Sequence, residues 1–287
     1  MTAEPLDLLA CVLELRPLPA PDRELPPWWG RAAHSLFLDA VRGGDPALAE
    51  SLHHGDSPRP FTASNLMGSF PRRRLDPAGT YRLRYTALNP VVAAWLSQAV
   101  LPGGAFAPGG RVELDHIPFE VCAVLTDPAQ SPWAARAAYH RFSADHLLAG
   151  APPARRLRLL FTSPTVFRSG GVNLPLPLPD LVFGSLLSRW NQFAPLAMPE
   201  ETRRYARECL AVSAFSLRSR LAGTKQDGVR SGAVGEVTYV TLNYDRYWMS
   251  LIQALAGYAF YAGVGAGTAM GMGQCRPSPR PEGRREP

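Results

Sequence analysis

An almost unbroken apolar run over residues 8–15 predicts a strand, closed by Pro17, Pro19 and Pro21. From about Trp28 the spacing changes to three and four. Ala33, Leu36, Phe37, Ala40 and Val41 fall on one face of a helix that Gly43 and Gly44 end. Asp45 followed by Pro46 caps a second short helix, with Gly55 at its exit and His53 and His54 on its last turn. Strands are predicted over 61–67 and 80–87, joined as a hairpin by an arginine-rich connection. A helix is predicted from Asn89 to about residue 100, then a strand pair over 111–125 behind the glycine pairs at 103 and 109. The order is β, α, β, β, α, β, the split βαβ unit in which two helices cover one face of an antiparallel sheet.

Beyond a proline-bounded linker at 128–132 the pattern returns more loosely. Helices are predicted near 134–148, over 180–193 and over 247–262. Strands are predicted at 156–162, in a long pair at 209–221 and 234–242, and in a short piece at 271–276. The fold class is therefore α+β, with a first domain over 1–128 and a second over 133–276. The proline- and arginine-rich tail, 277–287, reads as unfolded.

Composition removes several classes. Hydrophobic residues make up 46% of 287 and charged residues 19%, which is not the balance of a disordered or collagen-like chain. Cys11, Cys122, Cys209 and Cys275 are far apart without a CxxC pair, so neither a zinc site nor a disulfide framework is expected. Glu4 and Asp7 stand where an exporting leader would carry basic residues, and the expected location is the cytoplasm. No charge falls between Arg246 and Arg276. The helical part of that stretch is shorter than the roughly 20 apolar residues a bilayer span needs, and a buried helix is expected. A formal charge of +6 suits a polyanionic partner, and Lys225 is the sole lysine. Genomic composition takes the larger share of that arginine bias, while the planar fork of arginine also suits phosphate.

Candidate chemistry gathers in a few places. The segment GVGAGTAMGMG places Gly263, Gly265, Gly267, Gly271 and Gly273 between an apolar helix and a short strand. Such a run approaches another backbone or a phosphate closely, or packs as a turn beneath the sheet. It lacks GK[ST], and Met270 stands where a dinucleotide loop needs glycine. His53 is able to exchange a proton near neutrality, although a histidine at a helix C-terminus is commonly structural. Arg59 in SPRPFT would add a cation, and His34 on the first helix could meet the same cleft or merely pack. His116, His140 and His146 show no metal-ligand spacing. Arg72, Arg73 and Arg74 in one hairpin, and Lys225 and Arg230 around Gly228 in another, are solvated turn charges or grips on a nucleic-acid backbone.

Together, DPALAESLHHG with PRPFTAS, LLFTSPTVFRSGG with PDLVFGSLLSRWNQFAP, GAVGEVTYVTL and GYAFYAGVGAGTAMGMGQCR resemble the CRISPR-associated endoribonucleases that process precursor CRISPR RNA, in the repeat-associated mysterious protein superfamily. The resemblance spans nearly the whole chain. It implies two tandem ferredoxin-like domains with RNA crossing the face between them. It implies cleavage without metal or cofactor, a base helping the ribose 2′-OH attack the adjacent phosphate to leave a 2′,3′-cyclic phosphate and a 5′-OH. The glycine run corresponds to the superfamily's glycine-rich loop. The carried-over base is His53 first, His34 second and His54 third, with Arg59 as the cation. Leu38 occupies the position where some relatives have a first-helix tyrosine. The implied partner is CRISPR repeat RNA in its precursor transcript, with effector-complex subunits or a second copy of the chain beside it, and no membrane. The alternative is a non-catalytic RNA-binding subunit of a CRISPR effector complex.

Overall fold

The computed structural model describes residues 6–19, 24–53, 58–223 and 228–278. The chain opens with β1 (Leu8–Pro17), α1 (Gly30–Gly44), α2 (Pro46–His53), β2 (Phe61–Ala63), β3 (Tyr81–Ala87), α3 (Pro90–Ala99), β4 (Arg111–Leu114) and β5 (Ile117–Leu125). Local capping sets the helix starts: Asp45 accepts from Leu48 N at 2.9 Å and Asn89 from Val92 N at 2.9 Å. The antiparallel sheet runs β2-β3-β1-β5-β4. With β4 set aside as a hairpin partner, the four strands of the βαββαβ unit lie in the order second, third, first, fourth.

The second half repeats that order. It comprises β6 (Ala135–Ala137), α4 (Tyr139–Leu147), β7 (Arg156–Thr165), β8 (Phe167–Ser169), β9 (Val172–Leu174), α5 (Pro179–Phe193), α6 (Glu201–Cys209), β10 (Leu210–Gly223), β11 (Val229–Thr241), α7 (Arg246–Ala262) and β12 (Cys275–Pro277). The main sheet runs β10-β11-β7-β12, again antiparallel. Both halves are ferredoxin-like. No described helix is long and apolar enough to cross a membrane.

Several elements differ from the sequence pattern, among them the β8–β9 hairpin, which it does not predict, and β2, which ends at Ala63 rather than at residue 67. Residues 135–137 lie in an apparent helix but form β6, because the edge of β1 offers them a ladder from Leu8 to Ala10, and Asp7 accepts from Tyr139 N at 2.8 Å to start α4 afterwards. α6 escaped notice because its buried residues, Thr202, Tyr205 and Ala206, are few among charges. The last strand takes in Pro277, and Ser278 N still donates to Arg158 O at 2.9 Å.

β1 is buried on both faces. Leu9, Cys11, Leu13 and Leu15 join the core under α1 and α3, while Leu8 and Ala10 join the core of the second half with Tyr139, Phe161 and Tyr258. Arg84 on β3 also points at the second half and is 2% exposed. Its guanidinium donates to Trp133 O, Gln274 Oε1 and Phe260 O at 2.9, 2.8 and 2.7 Å, and lies over the rings of Trp133 and Phe260. Burial pushes its pKa down to about 9. The cores of the two halves thus meet at β1, with a hydrogen-bonded cation at the seam.

Candidate active site

The glycine-rich arc leaves α7 at Gly263, whose φ of 62° ends the helix, and runs back across the first half. Gly271 N donates to Ala63 O at 3.0 Å, and Trp28 Nε1 donates to Met270 O at 2.9 Å. At Gly30 a Cβ would run into the Met270 carbonyl, so α1 can begin only with glycine beneath the arc. Gly263, Gly265, Gly271 and Gly273 spend their N–H groups on Ala259 O, Ser185 Oγ, Ala63 O and Pro164 O. At those positions the arc is a packed wedge rather than an open row of amide donors. Gly265, Ala266, Gly267 and Met270 form its accessible rim.

His34, one turn into α1, meets this arc. Its Nδ1 lies 3.2 Å from Ala269 O, and its ring stacks on Phe61 with centroids 5.5 Å apart. A carbonyl oxygen only accepts, so the proton sits on Nδ1 and Nε2 keeps its lone pair. Burial lowers the His34 pKa from the ordinary 6.5; the bond to Ala269 opposes that shift, and the charges of Arg59 and His53 add to it. The ring is therefore neutral and basic near neutral pH.

His53 is the exposed last residue of α2, near enough to act electrostatically on His34. Arg59 bonds the end of that helix: Nη1 donates to Leu52 O and Nη2 to His53 O at 3.1 Å. Those carbonyls have no intrahelical partner, so Arg59 caps α2 as well as adding charge beside His34. His54 and Lys225 lie outside the described residues. Arg72, Arg73 and Arg74 are exposed at a tight turn, with φ of 50° and 60° at the first two, anchored where Phe70 stacks 6.5 Å from Trp29. Arg230 faces Ala222 across the β10–β11 ladder. The end of β10 reaches the first half: Ala222, Val166 and Met272 pack with Trp28.

Two groups of residues were missed in the sequence. Arg189 on α5, inside SRWNQF, lies 7% exposed beneath the arc. Arg156 and Arg158 alternate with core residues along β7, and Arg218, Arg220 and Arg276 share the face turned away from α5 and α7. On that face Glu236 sits 3.6 Å from Arg158, and Arg276 stacks on Trp133. The period-two pattern of RLRLLF was the available signal. A concavity of about 530 Å³ lies on the other flank of α1. Arg31, Asp39, Glu113, Asp115 and His116 line it, a mixture of signs that excludes His34.

The family model for the CRISPR-associated endoribonuclease Cas6 matches residues 159–275. A Cas6 protein solved as a histidine-to-alanine mutant is 30% identical, with 96% of this chain and 100% of that chain covered and a TM-score of 0.74. The same protein in a substrate-mimic complex gives 30%, 96%, 100% and 0.73. A second Cas6, from Thermus thermophilus, in a product complex is 28% identical over 95% of this chain and 99% of that one, with a TM-score of 0.77. No curated protein matches the chain.

Proposed function

The chain belongs to the Cas6 family of CRISPR-associated endoribonucleases, and from that premise we propose that it binds CRISPR repeat RNA and cuts the precursor transcript without a metal ion. His34 is the general base. Its Nε2 takes the proton of the ribose 2′-OH, the freed oxygen bonds to the neighbouring phosphorus, and the P–O5′ bond breaks. The 5′-oxygen takes a proton from solvent as it leaves, the other fragment keeps a 2′,3′-cyclic phosphate, and His34 returns its proton to solvent. The positive charge of Arg59 stabilises the pentavalent phosphorane more than the starting phosphodiester. His53 is the second imidazole beside the reacting centre. Arg72, Arg73, Arg74 and Arg230, the accessible rim of the arc and the arginines on the open face of the second sheet hold the RNA backbone.

One observation carries the reading: the Nδ1 contact with Ala269 O joins an imidazole of the first half to the arc of the second and leaves Nε2 basic. The reported relatives support it, one as a histidine-to-alanine mutant and others with product or a substrate mimic. The test is cleavage of repeat RNA in EDTA under single-turnover conditions. His34→Ala is expected to slow cutting by about a hundred- to ten-thousandfold while RNA affinity holds. A larger loss in His53→Ala would move the base to α2. Full cutting by both variants would remove both imidazoles from the role of base, and an unmodified chain that binds the RNA without cutting it would be a binding subunit.

A further inference from the structure

Arg189 enters none of the steps above, yet its guanidinium is spent wholly on the arc. Nη1 donates to Ala262 O at 2.8 Å and to Thr268 Oγ1 at 2.6 Å, and Nη2 donates to Gly265 O at 2.7 Å. None of these partners is a carboxylate. A buried cation met only by neutral oxygens is costly, and the C-terminal end of α7, at Ala262, offsets part of that cost with its negative dipole. Leucine or methionine would fill the same space without the cost. The arc itself supplies a reason for arginine. Its glycines at 265 and 267 both have φ of 75°, and such a segment has more freedom to lose than any other backbone. The arc's own N–H groups anchor it at Val166, Ser185, Ala63 and Pro164, and Arg189 adds side-chain bonds at Gly265 and Thr268, on the stretch that leads into Ala269. Thr268, which Arg189 grips, immediately precedes Ala269, whose carbonyl holds the His34 ring.

We propose that Arg189 is a positioning residue for proton abstraction: by pinning Ala262, Gly265 and Thr268 it aims the Ala269 carbonyl that keeps the His34 proton on Nδ1. Nε2 is then the free nitrogen in every molecule rather than in a fraction of them. The inference rests on His34 being the base, and it explains how a residue of α5 in one half governs chemistry on α1 in the other.

The experiment pairs two readouts on the full-length protein. ¹H–¹⁵N imidazole spectra report the His34 tautomer, and single-turnover cleavage of repeat RNA reports its use. Arg189→Met is expected to replace the pure Nδ1–H pattern by a mixture and to slow cleavage about ten- to a hundredfold, the scale of a small misplacement caused away from the reacting atoms. Affinity for RNA should hold, and Arg189→Lys should recover part of the pattern. Should Arg189→Met not fold, Thr268→Val removes one bond at constant shape and is expected to shift the tautomer in the same direction with a loss of about fivefold. An unchanged Nδ1–H pattern in a folded variant overturns the inference. A changed pattern with His34→Ala still cutting normally would instead overturn the base assignment while leaving the pinning established.

Discussion

At the scale of single residues, His34 shows how placement decides chemistry. Its sequence neighbours describe an amphipathic helix and nothing more, which favoured packing over catalysis for it. Its properties come from residues 235 positions away, where Ala269 fixes a tautomer, and from burial, which lowers its pKa below 6.5. The sign of the pH dependence follows. Because the unfolded chain takes up this proton first, the stability contributed at His34 is full above 6.5 and is lost as pH falls towards the lower folded value. The same depression sets the rising limb of kcat/KM against pH, which should lie below 6.5 when repeat RNA is cut across a pH series. Arg59→Met removes a positive charge that lowers His34 and should move that limb upward. A limb that stays in place would show that Arg59 acts only as the cap of α2. Arg59 was legible as a cation near the histidines, but its bonds to Leu52 and His53 depended on a return of the chain that no local pattern reports.

At the scale of elements, the arc and α1 form one assembly. Their contact is so close that side chains are excluded. At Gly271, with φ of 88°, a Cβ would lie 2.9 Å from Trp28 Cζ2, 3.0 Å from Gly30 Cα and 3.1 Å from Asn65 N. Gly271→Ala therefore combines left-handed strain with overpacking and should destabilise by about 2–4 kcal/mol in urea denaturation, with cleavage falling further as the arc is lifted from His34. Gly43 offers the contrast. It lies within α1, and nothing stands within 4 Å of its Cβ position, so Gly43→Ala should stabilise by about 0.5–1 kcal/mol. Equal effects at the two sites would contradict this account of the arc. The glycine spacing marked the arc in advance but left its purpose open between donor row and packed turn. The first half of the chain read well, because its strands and helices carry their own periodicity and caps. β6 did not, since its three residues become a strand only against an edge made by β1.

At the scale of the whole molecule, two ferredoxin-like halves are joined by packing on both faces of β1 rather than by a linker alone. Arg84 tests that seam. Arg84→Ala would leave the oxygens of Trp133, Phe260 and Gln274 without their donor and the two rings without their cation, at about 3–5 kcal/mol. Thermal and urea unfolding should both show the loss, and a change below about 1 kcal/mol would mean the apolar core alone holds the halves together. The sequence by itself determined the paired βαββαβ pattern, the basic charge and the glycine run, because hydrophobic periodicity, caps and glycine spacing act over a few residues. It also carried the family resemblance that the comparisons bear out. Only the tertiary structure decided which imidazole meets the arc, that Arg59 caps a helix and that Arg84 and Arg189 are buried. Those facts depend on where oxygens six to 235 residues away are aimed, and that direction is set by tertiary packing, not by any pattern along the chain.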